Sequence, residues 1–381
     1  PKTVAAVSSE MSVGIVGAGT AGLAAAALLA RAGHAVEVLE RAPNPGPVGA
    51  GLLLQPTGIA VLERLGVLEE VRAGAARIDR VIGTTVAGRR FMDLAYTGES
   101  GLGVHRGALF GALRRAADDA GARLLAGAEV VQRRRVHELV DAGGATYGPY
   151  DLIVGADGAR STMRRFLPYR ARVHEHRWGA LWGVFEDPTN AFHGTLDQYF
   201  DGARRMAGFL PTGGDAVSLF WSIRLDRIDA VRAAGIEAFR RDLLSLAPVA
   251  EPLMGSLRSF DQLLPAAYRQ ISLPQWHDGV LVLLGDAAHA LSPQLGQGAN
   301  LALMDAAALA DASSLDDYEA QRRGQARFYA FGARALNAVF QNDVDAMAWP
   351  RDRLMPLAAK VPWVKRRMVA VLTGRAQSLF T

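Results

Sequence analysis

Three stretches of the chain are apolar almost without a break and stop at a glycine turn or an acid. They are "SVGIV" (Ser12–Val16), "DLIVGAD" (Asp151–Asp157) and "GVLVLLGD" (Gly279–Asp286). Such runs read as buried strands, and the last one as a strand covered on both faces, as in a parallel sheet flanked by helices. Between them the pattern changes. "RWGALWGVF" (Arg177–Phe185), "LDQYF" (Leu196–Phe200), "RMAGFLP" (Arg205–Pro211) and "AVSLFWSIR" (Ala216–Arg224) are rich in aromatics and read as strands of a second sheet. "IEAFRRDLLSLAPVAEPLM" (Ile236–Met254) reads as a helix ending near Pro248 and lying on that sheet. The expected class is α/β with two sheets, and helices from about residue 315 onward.

The first apolar run is followed by Gly17-Ala18-Gly19-Thr20-Ala21-Gly22, a helix through Ala32, and Gly33 where a helix cap belongs. "HAVEVLE" then gives a second strand ending at Glu40 and followed by Arg41, with Glu40 18 positions after Gly22. Strand, GxGxxG, helix, strand and acid in that order make a dinucleotide fingerprint. Gly17 permits the tight turn, Gly19 lets the backbone approach a pyrophosphate, and Gly22 allows close helix–strand packing. The helix N-terminus offers unpaired N–H groups and a positive dipole end. Glu40 can accept hydrogen bonds from both ribose hydroxyls and repels a 2′-phosphate, so FAD or NAD suits this turn better than NADP. "GLGVHRG" (Gly101–Gly107) also holds a GxG, but its sixth position is Arg106 and no acid-terminated strand follows. It is not a second dinucleotide turn, so the chain holds one stable dinucleotide.

The other two runs end on Asp157 and Asp286, where ligands of open α/β sheets sit. Arg160, Arg164 and Arg165 follow Asp157 on what reads as a helix. After Asp286 come His289, Pro293, the loop glycines Gly296 and Gly298, and a helix starting near Ala299–Asn300.

Composition narrows the chemistry. The chain has 381 residues, more than one small core, and no cysteine. Disulfides, zinc–thiolate sites, iron–sulfur clusters and a dithiol relay are excluded, so redox work needs a bound cofactor. Its 42 basic and 38 acidic side chains nearly cancel, and no nucleic-acid motif is present. No stretch is apolar for the roughly 18 residues of a membrane span. Residues 1–10 read as a leader ahead of Met11.

Together "GAGTAG", "ADGARSTMR" and "GDAAHALSPQLGQGANLALMDA", with "VHRGALFGALRRAA", resemble the FAD-dependent aromatic hydroxylases, single-component flavoprotein monooxygenases. The resemblance covers about residues 11–345, and the connection "LADASSLDDYEAQRR" is shorter than the family's usual one. It implies a discontinuous Rossmann-like FAD-binding domain over 11–80, 101–170 and 275–312. A mixed β-sheet substrate domain would take 81–100 and 171–274, and a helical region 313–381. It implies bound FAD, transient NADH or NADPH, O2, and an aromatic or similar electron-rich substrate oxygenated through a flavin C4a-hydroperoxide, in the cytoplasm. The cofactor would lie on Gly17, Ala18, Gly19, Thr20, Ala21, Gly22, Glu40 and Arg41 at its adenosine end. Arg106 would counter phosphate or orient the ribityl chain, and Asp286 would take the ribityl hydroxyls. Gly296, Gln297, Gly298, Ala299 and Asn300 would line the ring's pyrimidine edge. Asp157, with Arg160, would link the pyrophosphate region to the nicotinamide.

No side chain is obligatory as nucleophile. His289 is the candidate base, against the plainer reading of a packed residue, and Pro293 shapes the wall above the reactive carbon. Trp182, Phe209 and Phe220 are candidate pocket residues, against ordinary core. Arg204 and Arg205 could meet a substrate carboxylate, against a surface turn. Two other functions stay open on the residues alone: a halogenase- or reductase-like flavoprotein, and an FAD-binding regulatory protein. The stretch "RDRLMPLAAKVPWVKRRMVAVL" reads either as helices packed on the body or as a membrane-surface segment.

Overall fold

The computed structural model describes residues 10–46 and 49–377, so all but the last residue of the expected leader lies outside the described residues. The three apolar runs become neighbouring strands of one five-stranded parallel sheet. Its order is Leu281–Leu283, Leu152–Gly155, Ser12–Val16, Ala35–Glu40 and Arg123–Ala126. Val13, Ile15, Ile153, Val154, Leu281, Val282 and Leu283 are fully buried, which is why these strands show no polar alternation. Burial of such a side chain contributes about 2 kcal/mol. The first helix, Thr20–Arg31, is alanine-rich because it is squeezed between this sheet and two other helices, Arg106–Asp119 and Gly298–Asp311.

Two ends differ from expectation. The third run stops being strand at Leu283, because Gly285 takes a positive φ (+55°) and Asp286 opens a short helix, Asp286–His289. The helix expected after Asp157 is only a 3-10 turn, Met163–Phe166. Asp157 Oδ2 accepts from the backbone N–H of Thr162 (2.7 Å) and Met163 (3.0 Å), which closes the turn.

The second sheet has seven strands in the order Leu264–Ser272, Arg172–Glu186, Ala216–Arg224, Arg205–Gly213, Thr195–Asp201, Arg80–Thr85 and Arg90–Ala95. All pairs are antiparallel except Thr195–Asp201 with Arg80–Thr85. Its two faces have different jobs. Leu181, Ala207, Phe209, Leu219 and Trp221 pack under Phe239, Leu243 and Leu246 of the helix Ile236–Leu246. The helix expected to run to Pro248 ends there, and Pro248–Gly255 continues as 3-10 turns. The opposite face carries Trp182, Phe220, Ser218 and Ser222, which register places one row apart from the buried set.

A three-stranded sheet, Gly51–Leu54, Gly101–His105 and Ala76–Ile78, joins the two larger ones. Its contact with the seven-stranded sheet is close enough to require glycine. A Cβ on Gly103 would fall 1.9 Å from the Pro211 carbonyl oxygen, and the Gly51 N–H donates to Ser218 Oγ at 3.0 Å. Three α-helices follow among the described residues, Leu315–Phe340, Ala348–Ala358 and Pro362–Leu372. The short connection after Asp311 is simply a tight turn, in which Ser314 Oγ caps the long helix by accepting from Asp317 N–H (3.1 Å).

Candidate active site

The ends of three adjacent strands meet in one cleft. Gly17 (φ +105°) turns so close to the next strand that a Cβ there would sit 2.6 Å from the Ala156 carbonyl oxygen, beside Asp157. A Cβ on Gly22 would fall 1.9 Å from the Gly17 carbonyl oxygen. Gly285 packs between Ala21 of the first helix and Ala302 of the late helix, whose Cβ atoms would each lie 3.3 Å from a Cβ of its own. Arg164 bolts the second end to the third: Nη1 donates to the Ala287 carbonyl (3.0 Å) and Nη2 to the Ala159 carbonyl (2.8 Å). The early glycine turn and the late loop therefore open side by side.

Within the cleft, Gly19, Gly296 and Gly298 are exposed and nothing lies within 4 Å of where a Cβ would be. Thr20 opens the first helix and Gly298 the late one, so their first-turn N–H groups have no helical acceptor. Ala18 and Ala21 are buried beneath the turn. Glu40 Oε2 accepts from Ala18 N–H (2.8 Å) and Oε1 from Ala42 N–H (2.9 Å), which holds the carboxylate against the glycine turn with lone pairs to spare. Arg41 is exposed next to it.

Asp286 and Arg106 face the cleft from opposite sides. Both keep open surface. Both are also crowded by protein, so burial pushes the Asp286 carboxyl up and the Arg106 guanidinium down, while each charge partly offsets the other's shift. A side chain can keep open surface on one side while protein atoms crowd the others, which reconciles the two. Neither makes a hydrogen bond to another described residue. Arg106 is threaded past Gly49, where a Cβ would lie 3.2 Å from its Cδ.

Other expected site residues are placed differently. His289 is buried, and its Nε2 pairs with Asp305 Oδ2 at 2.6 Å while its ring lies 4.9 Å from that of Trp276. It is a packed member of a core network, not a base facing the cleft. Asn300 is fully buried; its Nδ2 donates to Leu53 and Gly296 carbonyls and its Oδ1 accepts from Gln55 N–H, so its side chain ties the late helix to the joining sheet. The Gln297 side chain turns away to the Val371 and Leu372 carbonyls (3.3 and 2.7 Å). The Gly296 N–H is taken by the Pro293 carbonyl (2.8 Å), which leaves the Gln297, Gly298 and Ala299 N–H groups at the loop's rim. Pro293 opens a 3-10 turn in that loop and is half-buried. Asp157 does not pair with Arg160, which is exposed; its Oδ1 is buried without a partner. Phe209 lies on the far face of the seven-stranded sheet, fully buried and stacked on Phe192 at 4.5 Å, so it is core and not pocket. Trp182 and Phe220 share the other face, with ring centroids 5.6 Å apart. Arg205 pairs with Asp201 and Asp242, and Arg204 with Asp345, so both serve the surface.

Two parts of the site escaped the sequence reading. Asp305, fully buried, accepts from Gly285 N–H (2.9 Å), His289 and Arg322 Nε (2.8 Å), fixing the turn that carries Asp286. Its carboxyl is held down at about 2, burial opposing and His289 and Arg322 prevailing. The signal was present as a single acid in the otherwise apolar "LALMDAAALA". Tyr96, whose hydroxyl donates to the fully buried Gln55 Oε1 at 2.7 Å, gave no signal.

These residues fit FAD. The bare glycine turn with its carboxylate, the orphaned Asp157 Oδ1, the Asp286–Arg106 pair and the second bare loop lie along one cleft, as an extended dinucleotide requires. The sequence profile of a family described as FAD binding domain matches residues 10–327. The chain is 30% identical over 315 residues to a probable 2-heptyl-3-hydroxy-4(1H)-quinolone synthase of Rhodococcus erythropolis, covering 79% of each chain. It is 32% identical over 364 residues to kynurenine 3-monooxygenase of Xanthomonas euvesicatoria, covering 84% of this chain and 77% of that one. Its fold superposes on PqsL, a probable FAD-dependent monooxygenase from Pseudomonas aeruginosa, with a TM-score of 0.78 at 25% identity, over 90% of this chain and 99% of that one. The halogenase-like and regulatory readings fall away, and the chain belongs to the FAD-dependent aromatic hydroxylases, as an FAD-dependent monooxygenase.

Proposed function

We propose that this monooxygenase takes electrons from NADH or NADPH and hydroxylates an electron-rich aromatic ring held between the late loop and the Trp182–Phe220 face of the seven-stranded sheet. The observation that carries this reading is the meeting of both bare glycine loops and the Asp286–Arg106 pair in one cleft. Bound FAD supplies the redox chemistry, a two-electron link from nicotinamide to O2 that leaves one oxygen on the substrate and releases the other as water.

The chain's residues bind and orient. The Gly17 and Ala18 N–H groups are spent on the Leu39 carbonyl and Glu40, so those of Gly19, Thr20 and Ala21 take the pyrophosphate, and Glu40 accepts from the adenosine ribose. Asp286 accepts from ribityl hydroxyls, with Arg106 beside the phosphates. The N–H groups of Gln297, Gly298 and Ala299, with the late helix dipole behind them, favour negative charge at the ring's pyrimidine edge. The orphaned Asp157 Oδ1 and Arg160 serve the nicotinamide side. Pro293 walls the ring, and Trp182 and Phe220 exclude water from the substrate face. We place the enzyme in the cytoplasm, where reduced nicotinamide is available.

Relatives named for a quinolone and for kynurenine, and PqsL in complex with 2-aminobenzoylacetate, support quinolone and aminobenzoyl rings as the first compounds to try. The purified protein should be yellow, and one such compound should accelerate NADH or NADPH oxidation and gain one oxygen atom by mass. A broad aromatic panel that gives neither stimulation nor oxygenated product overturns the proposal.

A further inference from the structure

Seven of the thirteen exposed large apolar side chains among the described residues fall between Val344 and Trp363. They are concentrated on one helix face and the junction after it. Along the helix Ala348–Ala358 and its exit, Trp349, Arg353, Leu357 and Lys360 follow one another at helical spacing on the outward side, with Leu354 at its edge. Val361, Trp363, Lys365 and Arg366 extend the strip onto the first turn of the next helix, and all four are exposed.

The inward side of that helix is fixed, which sets the direction the strip faces. Arg351 is buried with its guanidinium over the rings of Phe91 (4.6 Å), Phe200 (4.7 Å) and Phe340 (5.4 Å). It also donates to the Val339 and Gly202 carbonyls at 3.1 Å each. Trp349 is therefore not a core residue in waiting, since its helix already has its core contact.

The charge of the strip selects its partner. The exposed charged side chains of the strip are Arg353, Lys360, Lys365 and Arg366, and its one acid, Asp352, pairs with the buried Arg351. Two copies of this face brought together about a two-fold axis would oppose cation to cation, so a second copy of the chain is disfavoured. Exposed tryptophans and leucines interleaved with exposed Arg353, Lys360, Lys365 and Arg366 match an anionic bilayer surface: the rings sit at the headgroup level while Lys and Arg meet lipid phosphates. No helix among the described residues is long and apolar enough to cross a membrane, so the contact is interfacial.

We infer that the Trp349–Arg366 strip docks the enzyme on the surface of a membrane rich in anionic phospholipid. This goes beyond the hydroxylase reading and does not depend on its substrate. The flavin-loaded protein is sedimented with vesicles of phosphatidylcholine alone or with about a quarter phosphatidylglycerol, at low and high salt. Binding is expected on the anionic vesicles, weakened by salt, with a blue shift in tryptophan emission. Lys360→Gln and Arg366→Gln should each weaken it roughly fivefold. Trp349→Ser with Trp363→Ser should remove it while flavin content stays unchanged. No sedimentation with either vesicle overturns the inference, as does binding indifferent to lipid charge or to these substitutions. A lipid-independent dimer that the double tryptophan variant disperses assigns the strip to a second copy and overturns it equally.

Discussion

Four carboxylates at this site do four different things, and only their surroundings tell them apart. Glu40 is held by two backbone N–H groups against the glycine turn. Asp157 closes a 3-10 turn with one oxygen and leaves the other bare. Asp286 stands in the open cleft with no described hydrogen-bond partner and its carboxyl pushed up by burial. Asp286→Ala should weaken FAD retention by about ten- to a hundredfold, the value of hydrogen bonds to a charged group. The ratio of flavin to protein absorbance after dialysis checks this, and unchanged flavin content removes the assignment. Asp305 is structural. Its folded-state value lies near 2, below the ordinary 3.8, so its stabilisation is complete above about pH 4 and fades as pH falls towards 2. Asp305→Asn should cost about 3–5 kcal/mol at neutral pH by stranding Arg322 and His289, and should flatten the loss of stability between pH 4 and 2. Denaturant titrations at several pH values measure both.

At the scale of elements, the glycine turn separates folding from binding. Gly22→Ala should break the packing of the first helix on its strand, because the new Cβ would meet the Gly17 carbonyl oxygen at 1.9 Å. Little soluble protein is expected. Gly19→Ala meets nothing within 4 Å, so the fold should survive with unchanged thermal stability of the apoprotein, while FAD affinity falls as the Cβ intrudes on the pyrophosphate. Comparable flavin affinity in Gly19→Ala and the parent contradicts that role. The elements legible in the sequence were those with one dominant signal: the early strand–turn–helix, the aromatic strands, and the late loop with its helix. Element ends were less legible where a turn intervened. Gly285 cut the third strand short, and the helix expected after Asp157 is only a 3-10 turn, whereas Pro248 marked a helix end correctly. Phe209 shows another limit. Alternation says that it faces away from its neighbours Gly208 and Leu210, but not which face meets the cofactor.

For the whole molecule, one ligand should hold several bodies of chain together, since its cleft joins the parallel sheet, the late loop and the joining sheet. Adding FAD to apoprotein at about a hundred times its dissociation constant should add about 2.7 kcal/mol to stability and raise the melting temperature by several degrees. A melting temperature independent of FAD would mean that the cleft is not its site.

Sequence alone determined that the chain belongs with FAD-binding proteins, that cysteine chemistry is absent, and which apolar runs share a sheet. Those properties rest on local rules: glycine where backbone must turn or approach, unbroken apolar runs where both strand faces are covered. Tertiary structure decided which charged groups face the cleft and which are spent inside. Asp286 and Asp305 are 19 positions apart with similar apolar neighbours, yet one is open to ligand and the other is locked to His289 and Arg322. That division is set by contacts between distant segments, whose partners no local pattern names. The outward direction of Trp349, Arg353 and Leu357 was likewise decided by Arg351, which anchors one side of their helix and so commits the other to the outside.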